Sequence, residues 1–392
     1  MPRKPASTIP ADANDPEVPA DFGMRVVHWQ RAHGRHDLPW QNTRDPYRIW
    51  LSEIMLQQTQ VSAVIDYYQR FMASLPTVEA LAAAPADEVM ALWAGLGYYS
   101  RARNLHACAR QVVAEHQGRF PTDPAVLVTL PGIGRSTAAA IAAFSAGVRT
   151  PILDGNVKRV FARFFGLHGH PGERAVEACM WRLADAALPP AGAEQARDMV
   201  SYTQGLMDLG ATICSRGRPA CLADVSACPL ADGCVARRDG LTGVLPSPKP
   251  RAAQPERSTV MVMLRRGREI LLTLRPGSGI WGGLWSLPEL PVEQVPFDAE
   301  QAEDAALAYA HGHGTPSRAV FSGELTHVFT HFRLLIRAVR VDMAAPAVRD
   351  GDGPAEAAAP AWRWVALDQL DGVGVPAPVR KLLLAQAAPG LF

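Results

Sequence analysis

Two carboxylates, Glu53 and Asp154, lie in sequence surroundings that would give them opposite chemical roles. Glu53 lies among apolar residues of a predicted helix, so burial should raise its pKa and make it a general acid. Asp154 follows an apolar run and precedes a glycine, the position of a helix N-cap, where the carboxylate should stay ionised. An acid that protonates a leaving base and an anion that stabilises a sugar cation together suit cleavage of an N-glycosidic bond. A solvated glutamate and a simple cap are the plainer interpretations.

A glycine-containing segment, Leu130–Thr137, lies between two helical patterns. Gly132 and Gly134 permit positive φ angles and a close approach of the backbone to a ligand. The helix that follows begins with free N–H groups and a positive dipole end, which suits a phosphate. A plain turn is the simpler interpretation, but the complete Leu-Pro-Gly-Ile-Gly string favours a helix–hairpin–helix that binds duplex DNA without reading its sequence.

Four of the six cysteines are crowded into one stretch, separated by six, six and five residues: Cys214, Cys221, Cys228 and Cys234. In a chain without a secretion signal, such a cluster predicts metal or iron–sulfur ligation before disulfides. Four thiolates ligate either zinc or a [4Fe–4S] cluster, and the spacing alone does not choose between them. Cys108 and Cys179 stand alone in helical patterns and are predicted to be small buried hydrophobes.

The composition is that of a globular protein, with 392 residues, 48% hydrophobic and 20% charged. A chain of this length predicts two domains. The net charge of +1 argues neither for nor against a nucleic-acid partner. No apolar run is long enough to span a membrane, and residues 1–20 lack the apolar core of a secretion signal. We therefore expect a disordered tail on a cytoplasmic protein, nucleoid-associated in a bacterium.

The periodicity of apolar residues changes along the chain and predicts a multidomain architecture. Residues 21–236 show the spacing of many short helices, hence an all-α domain. Residues 237–256 are proline-rich and predict an extended linker. Residues 257–392 change to short alternating runs and predict an α+β domain. The expected strands of this domain are 259–264 and 270–274, which form a hairpin, and 328–341 and 362–365. Its expected helices are 302–311 and 379–385. Residues 344–361 are expected to form a loop.

Together these segments resemble the adenine DNA glycosylases of the MutY type, in the helix–hairpin–helix glycosylase superfamily. The resemblance covers about Arg35 to Cys234 and rests on Leu38-Pro39-Trp40, Ser52 to Val61, Gly95 to Arg101, the hairpin, Asp154 to Arg159 and the cysteines. It implies an all-α glycosylase domain whose four clustered cysteines hold a [4Fe–4S] cluster. It also implies a monomer that flips and removes adenine opposite 8-oxoguanine or guanine in duplex DNA.

The resemblance also assigns roles to individual residues. Glu53 would protonate adenine at N7, Asp154 would stabilise the sugar cation or its covalent adduct, and Asn156 would orient the carboxylates. Two further sets are implied, one lining the adenine pocket and one that wedges into the duplex and contacts 8-oxoguanine. The pocket set is Trp40, Leu56, Gln204 and Met207. The wedge set is Gln58, Thr59, Leu96 and Tyr98.

One position separates reaction types within the superfamily. The related bifunctional enzymes, similar to endonuclease III, carry a lysine where this chain has Ser136, in the helix after the hairpin. That lysine forms a Schiff base with the sugar, whereas serine cannot form an imine. We therefore expect a monofunctional glycosylase with Ser136 at the substrate. Lys158, near Asp154 in the sequence, is given no required role.

The spacing of the cysteines departs from the family pattern. Cys221 and Cys228 are separated by six residues where the family has two. We expect a loop that takes up the four extra residues and leaves all four thiols able to bind one group.

The C-terminal domain resembles the Nudix-like module that recognises 8-oxoguanine in this family, with one change. The family's loop reads Phe-Ser-His, and this chain has Phe329, Thr330 and His331. Threonine keeps the hydroxyl group, so hydrogen bonding to the lesion is expected to survive. The sequence after Leu290 has no Nudix box, which predicts a domain that binds without hydrolysing.

Three other functions are weighed against the adenine glycosylase. A glycosylase with lyase activity on oxidised pyrimidines is opposed by Ser136 and by the second domain. A non-catalytic DNA-binding or redox-sensing iron–sulfur protein is opposed by the intact pair Glu53 and Asp154. A nucleotide-pool Nudix hydrolase is opposed by the missing box. Replacing Glu53 by glutamine separates the glycosylase from the non-catalytic class, because it should abolish base removal and spare mismatch binding.

Overall fold

The structure is a computed structural model that describes residues 15–249, 254–290, 298–344 and 362–387. The chain forms two compact units, Met1–Ala83 with Ala107–Arg251 and Ala84–His106 with Ala252–Phe392. The α-helices within the described residues are α1 (Phe22–His33), α2 (Pro46–Leu56), α3 (Val61–Ser74), α4 (Val78–Ala83), α5 (Ala86–Trp93), α6 (Ser100–His116), α7 (Pro124–Leu127), α8 (Arg135–Ala146), α9 (Gly155–Phe164), α10 (Arg174–Ala186), α11 (Gln195–Asp208), α12 (Val235–Arg238), α13 (Ala299–Ala310) and α14 (Ala377–Ala387). In that part of the chain, no helix combines the length and the apolar character that crossing a membrane requires.

The first unit is helical, and carboxylate caps fix where two of its important helices begin. At the start of α2 the side chain of Asp45 accepts the Tyr47 amide at 2.9 Å, with a proline at the first helical position. At the start of α9 the side chain of Asp154 accepts the amides of Asn156 and Val157. The predicted N-cap role of Asp154 is therefore confirmed, and the cap fixes the carboxylate at the end of a helix.

The turn before α8 has the geometry predicted for the hairpin. Gly132 has φ 78°, in the left-handed region that favours glycine. The residues on either side of it, Leu130 and Ile133, are buried and are joined by a backbone hydrogen bond of 3.2 Å. Gly134 precedes α8 without a side-chain cap. The first amides of α8 are therefore not bonded to a capping side chain, as a phosphate-binding helix start requires.

An aromatic cluster forms the centre of the first unit and holds the chain ahead of α1. Phe22 meets Phe164 edge to face, with ring centroids 5.0 Å apart. Val18 packs against this cluster, and the Asp15 carboxylate pairs with Arg182 at 2.5 Å. Of the predicted tail, 1–20, residues 1–14 lie outside the described residues, and Asp15 and Val18 make the contacts just given.

The second unit holds α5, the start of α6 and the C-terminal domain. Its described strands are β1 (Glu256–Arg266), β2 (Glu269–Leu274), β3 (Trp285–Ser286), β4 (Pro316–Val328), β5 (Arg333–Met343) and β6 (Trp362–Ala366). The strand order is β3-β2-β1-β5-β4, and β6 also pairs with β2. β1 and β5 run parallel, whereas β1–β2 and β4–β5 are antiparallel. α13 packs on β4 and β5, which confirms the α+β prediction.

Within the second unit, α5 and α6 bond directly to the C-terminal domain. Asp87 accepts a hydrogen bond from Trp285 Nε1 at 3.1 Å and lies 3.8 Å from the guanidinium of Arg363. Arg103 donates to the carbonyl of Gly282. The two compact units therefore do not coincide with the predicted stretches 21–236 and 257–392, because residues 84–106 belong to the second unit.

One predicted strand, 328–341, is wrong in its bounds. β4 ends at Val328 and β5 begins at Arg333, and these two residues pair with each other. Between them, the Phe329 amide donates to the Phe332 carbonyl at 2.9 Å. The apolar run is therefore a hairpin loop between two strands, because its aromatic side chains pack on one another rather than alternating across a sheet.

The other predicted elements of the C-terminal domain are confirmed with similar bounds. The hairpin of β1 and β2 pairs Arg265 with Ile270, as the turn at Arg265–Gly267 predicts. β6, α13 and α14 cover the remaining expected strand and helices. Of the predicted linker, 237–256, residues 250–253 lie outside the described residues, as does the predicted loop 344–361 beyond residue 344.

Candidate active site and cysteine cavity

A cavity of about 690 Å³ in the first unit is lined by residues of α1, α2 and α11 and of the segment between α1 and α2. Three predicted site residues line it: Trp40, Glu53 and Gln204. Trp40 is buried and meets Tyr68 edge to face, with ring centroids 5.5 Å apart. The basic side chains in the wall are Arg31, Arg35, His36, Arg44 and Arg197. The cavity therefore combines an aromatic wall, a carboxyl group and a basic rim suited to an anionic ligand.

Glu53 lies near the C-terminal end of α2, and the buried apolar residues Leu51, Ile54 and Met55 are its neighbours in the sequence. Burial raises the pKa of Glu53, and the negative charge of Asp154 adds to the rise, so that the pKa is about 8. The carboxyl group therefore holds a proton near neutral pH, which is the state that a general acid needs.

Asp154 differs from Glu53 in its surroundings, because its carboxylate accepts three hydrogen bonds. Oδ1 accepts the Asn156 amide at 2.9 Å and the Val157 amide at 2.8 Å, and Oδ2 accepts Asn156 Nδ2 at 3.2 Å. Burial raises the pKa of Asp154, while these bonds and the charge of Arg159 oppose the rise. The donors favour the anion and fix its orientation, and Asn156 stands where a positioning residue would.

Arg159, which the sequence interpretation missed, ties the cap of α9 to the cysteine segment. Its guanidinium donates to Asn156 Oδ1 at 2.7 Å, to the Cys214 carbonyl at 2.7 Å and to the Gly210 carbonyl. Position 210 needs glycine, because a Cβ there would overlap Asn156. One turn later, Arg163 donates to Cys214 Sγ at 3.3 Å. The four-residue spacing of the two arginines is the sequence signal for this bridge.

Ser136 and Lys158 both lie close to the Asp154 segment, but each has a partner. Ser136 Oγ accepts the amide of Leu153, directly before Asp154, at 3.3 Å. Lys158 Nζ is bonded to the Glu177 carboxylate at 2.6 Å. The hydroxyl therefore supports the backbone beside the carboxylate, and the amine is engaged in an ion pair.

The remaining predicted residues of the first unit lie outside the cavity wall. Leu56 ends α2 and accepts the Thr59 amide through its carbonyl at 3.2 Å. Gln58, between them, is exposed and has φ 57°, in the left-handed region that non-glycine residues seldom occupy. Met207 packs against the apolar core. Neither Leu56 nor Met207 is among the residues that line the cavity.

Two predicted wedge residues, Leu96 and Tyr98, belong to the second unit. Leu96 is buried, whereas Tyr98 is 47% exposed. Tyr98 has φ 49°, and the guanidinium of Arg101 lies 5.4 Å from the centre of its ring. A left-handed conformation at an aromatic residue is strained and concentrates at functional sites. Gln58 and Tyr98 both have this left-handed backbone conformation, and the sequence does not indicate it at either position.

The four clustered cysteines line one small cavity with apolar neighbours in the first unit: Cys214, Cys221, Cys228 and Cys234. The long segment between the second and third cysteines folds into two short 3₁₀ turns, Ala220–Leu222 and Val225–Ala227, which return the chain to this cavity. Burial and, to a smaller extent, the neighbouring thiols raise the pKa of Cys228 to about 12. Within the described ranges, no three or more His, Cys, Asp or Glu side chains form a group for a single metal ion. Four thiols around one enclosed space are a ligand set that an iron–sulfur cluster uses.

The predicted recognition loop of the C-terminal domain is an aromatic hairpin. Phe329 is half-buried and lies 5.5 Å from Trp281 and 4.5 Å from Phe332, measured between ring centroids. Thr330 and His331 are exposed at the tip. The aromatic contacts fix the loop, and the two polar side chains remain accessible to a ligand. Trp281, in the segment 275–285 that also resembles the Nudix-like module, was given no site role from the sequence, but its ring packs against His327 and Phe329.

Two family models match the chain. Residues 51–186 match the HhH-GPD superfamily of base excision DNA repair proteins, and residues 259–385 match the NUDIX domain. The first match contains Glu53, the hairpin and Asp154, and the second contains the sheet and the aromatic hairpin. The predicted multidomain fold, a helix–hairpin–helix domain followed by a Nudix-like domain, is confirmed.

Characterised relatives match the chain over most of its length. An adenine DNA glycosylase of Buchnera aphidicola is 30% identical over 362 residues, which cover 92% of this chain and 97% of that protein. The human adenine DNA glycosylase is 32% identical over 418 residues, covering 92% of this chain and 73% of that protein. The alignments thus extend across both the helical half with its two carboxylates and the C-terminal half with its sheet, and this chain belongs to the adenine DNA glycosylase family.

Proposed function

We propose that this protein is a monofunctional base-excision-repair glycosylase that removes adenine paired with 8-oxoguanine or guanine in duplex DNA. The single observation that carries the proposal is a pair of partly buried carboxyl groups that differ in their hydrogen bonding. Glu53, in the cavity wall, has a pKa raised to about 8, whereas Asp154 accepts three hydrogen bonds that favour its anion. Family membership supplies the substrate class, and these two groups supply a mechanism.

In the first step, the protonated Glu53 donates its proton to N7 of an adenine that has left the duplex stack. The C1′–N9 bond then breaks, and its electron pair moves to the base, which leaves as a neutral purine. Trp40 in the wall gives the flipped base an aromatic surface to pack against.

In the second step, the sugar that remains has oxocarbenium character and a positive charge. The Asp154 carboxylate stabilises this cation or adds to C1′ as a covalent adduct, and Asn156 holds its orientation. Water then provides the hydroxyl group at C1′, and its proton returns to the Glu53 carboxylate. The product is an abasic site with the DNA backbone intact.

Strand cleavage needs an unprotonated amine that can form an imine with C1′, and the local residues oppose this. Ser136 offers a hydroxyl group, which cannot form an imine. Lys158 is ion-paired with Glu177 at 2.6 Å, which engages its amine. These contacts support base removal without lyase action.

Two sets of residues are proposed to recognise the DNA rather than to react. Thr330 and His331, exposed at the aromatic hairpin tip, would bond to 8-oxoguanine, with Phe329 below them. Gln58 in the first unit, with Thr59 beside it in sequence, and Tyr98 in the second unit, with Leu96 near it in sequence, would each wedge into the duplex. Pocket roles for Leu56 and Met207 remain predictions, since neither lines the cavity.

The cysteine cavity is proposed to hold a [4Fe–4S] cluster through Cys214, Cys221, Cys228 and Cys234. When bound, the cluster would tie four points of this segment together through its bonds to the thiolates. Visible absorbance with iron and sulfide analysis tests this assignment, and zinc in place of iron would contradict it.

The test of the main proposal is a single-turnover assay on a duplex with one adenine opposite 8-oxoguanine. Each sample is divided and resolved with and without hot alkali. We expect product only after alkali, which means base removal without strand cleavage. Glu53→Gln protein is the matched control, and it should bind the duplex and leave the base in place.

Three outcomes would overturn the proposal in different ways. Cleavage without alkali would show an active amine, with Lys158 as the first candidate. Full activity in the Glu53→Gln protein would reject the acid mechanism. Binding without product in either lane, by wild-type protein with a loaded cysteine site, would place the chain in the non-catalytic class.

A further inference from the structure

The turn between α5 and α6, residues 94–99 and called the wedge turn below, is tied to the helices on both sides of it. Trp93, the last residue of α5, donates its Nε1 hydrogen to the Gly97 carbonyl at 3.1 Å. Arg101, in the first turn of α6, donates to the same carbonyl at 3.2 Å. Its guanidinium lies 5.3 Å from the centre of the Trp93 ring and 5.4 Å from that of Tyr98. These contacts fix the wedge turn relative to both helices.

The same two helices are bonded to the C-terminal domain within the second unit. On α5, Asp87 accepts Trp285 Nε1 at 3.1 Å and lies 3.8 Å from the guanidinium of Arg363. That guanidinium lies 4.1 Å from the centre of the Trp285 ring, so the three side chains contact one another. On α6, Arg103 donates to the Gly282 carbonyl. One contact from each helix therefore joins the wedge turn to the domain.

The bond from Arg103 reaches the segment that supports the aromatic hairpin. Gly282 follows Trp281, whose φ of 55° lies in the left-handed region that non-glycine residues seldom occupy. The ring of Trp281 lies 5.7 Å from that of His327 and 5.5 Å from that of Phe329, measured between centroids. A continuous series of contacts thus runs from the wedge turn through α6 to the aromatic hairpin.

We propose that Arg103 is a positioning residue that makes the wedge turn and the aromatic hairpin move as one body, so that binding of 8-oxoguanine by the hairpin seats Tyr98 in the duplex. The inference rests on the proposed function, which assigns lesion recognition to Thr330 and His331 and the wedge to Tyr98. Guanine lacks the N7–H donor and the C8 carbonyl of 8-oxoguanine, so opposite guanine the hairpin has fewer groups to bond. Opposite 8-oxoguanine, its binding free energy seats the wedge only while the bond from Arg103 holds.

This role predicts a difference between binding and base removal that a purely structural role does not. Without the guanidinium of Arg103, the aromatic hairpin keeps its own ring contacts and still binds 8-oxoguanine in preference to guanine. That preference no longer reaches the wedge, so it is lost from the rate of base removal at saturating protein. If Arg103 only stabilised the fold, a damaged hairpin would lose the preference in binding and in rate together.

The experiment uses the full-length protein and two duplexes, with adenine opposite 8-oxoguanine or opposite guanine. Single-turnover rates at saturating protein give a rate ratio, and gel-shift dissociation constants in Glu53→Gln protein give a binding ratio. Arg103→Met keeps the length of the side chain and removes its donors. We expect its rate ratio to fall about fivefold or more, with the binding ratio unchanged. An unchanged rate ratio, or an equal fall in both ratios, would overturn the inference.

Arg380→Met is the matched control in the same unit. Arg380 is half-buried, as Arg103 is, and donates to the Leu370 carbonyl at 3.3 Å. Both residues of this bond lie in the C-terminal domain, so the bond does not reach α5 or α6. Arg380→Met should keep both ratios at their wild-type values. A fall in its rate ratio equal to that of Arg103→Met would contradict the proposal.

A change at the other contact covers the case in which Arg103→Met does not fold. The Asp87 side chain is 47% exposed, so Asp87→Ala removes its bonds to Trp285 and Arg363 at little cost to folding. We expect the rate ratio to fall again, by a smaller factor, with the binding ratio unchanged. An unchanged rate ratio in this variant would overturn the inference.

The failure of the inference is distinguishable from that of the proposed function. Wild-type protein that removes no adenine from either duplex would reject the proposed function, and the inference with it. Adenine removal at equal wild-type rates on both duplexes would overturn only the inference, because there would be no preference for Arg103 to transmit.

Discussion

Glu53, near the end of α2, and Asp154, at the start of α9, are two carboxyl groups that differ in their hydrogen-bond partners. In the described part of the chain, no hydrogen-bond donor is bonded to Glu53, whereas Asp154 receives two backbone amides and a side-chain amide. Burial acts on both and raises both pKa values, to about 8 for Glu53. The difference lies in the donors, which favour the anion of Asp154, whereas the burial of Glu53 favours its protonated form.

The largest expected effect comes from removing the proton donor. Glu53→Gln keeps the size and polarity of the side chain but cannot donate a proton in the same way. We expect the rate of adenine removal to fall about 10³–10⁴-fold in a single-turnover assay, at the upper end for a general acid. Mismatch binding, measured by gel shift on the same duplex, should stay within a fewfold of wild type. A fall of less than tenfold in the rate would contradict the comparison, because Glu53 would then line the cavity without acting as a proton donor.

The next effect comes from removing the anion while keeping the cap. In Asp154→Asn the side-chain oxygen still accepts the amides at the start of α9, because asparagine caps helices as well as aspartate. We expect the rate to fall about 10²–10³-fold, as for the loss of an electrostatic stabiliser. The free energy of unfolding, from urea titration, should change by no more than about 1 kcal/mol.

Asp298→Asn is the matched control for that variant. Asp298 caps α13 through the Gln301 amide in the same way and lies in the C-terminal domain. Its replacement should leave both the rate and the unfolding midpoint unchanged. A loss of stability in Asp154→Asn that is much larger than in the control would mean that the carboxylate mainly stabilises the fold.

The smallest effect is a shift of the pH profile, and it tests whether the two groups interact. Because Glu53 acts in its protonated form, the rate should be level below pH 8 and fall tenfold per pH unit well above it. The charge of Asp154 is one cause of the raised pKa of Glu53. In Asp154→Asn the descending limb should therefore move to lower pH. The measurement is a rate profile of both proteins from pH 6 to about 10 in constant ionic strength, and coincident limbs would show that the two groups act independently.

The parts of the fold that could be predicted from the sequence are those that depend on local pattern. The spacing of apolar residues predicts α2, α8 and α13, and the turn at Arg265–Gly267 predicts the hairpin of β1 and β2. The run around Phe329 was misassigned to a strand, since an aromatic loop and a buried strand have the same local composition. The parallel pairing of β1 with β5, far apart in the sequence, leaves no local pattern to recognise.

The residues of the candidate site likewise divide into those that a short sequence segment reveals and those that only the folded structure reveals. The chemistry of Glu53, the cap at Asp154 and the crowding of the cysteines are properties of short segments, so they are visible in the sequence. The contacts of Arg159, by contrast, reach Gly210 and Cys214 across a large separation in the chain. Such contacts form only when helices pack, and composition gives no sign of them. The left-handed backbone at Gln58 and Tyr98 is likewise a property of the folded chain.

The division of the chain between its two units has a consequence for any protease that cuts the connection at residues 250–253. Such a cut separates the polypeptide into two pieces, but α5 and the start of α6 stay on the N-terminal piece while belonging in space to the C-terminal one. The bonds from Asp87 to Trp285 and from Arg103 to Gly282 do not run through the cut. The nicked protein should therefore elute as one particle. The isolated N-terminal fragment would expose a surface of α5 that normally packs on Gly374, which makes residue 250 a poor place to truncate a soluble domain.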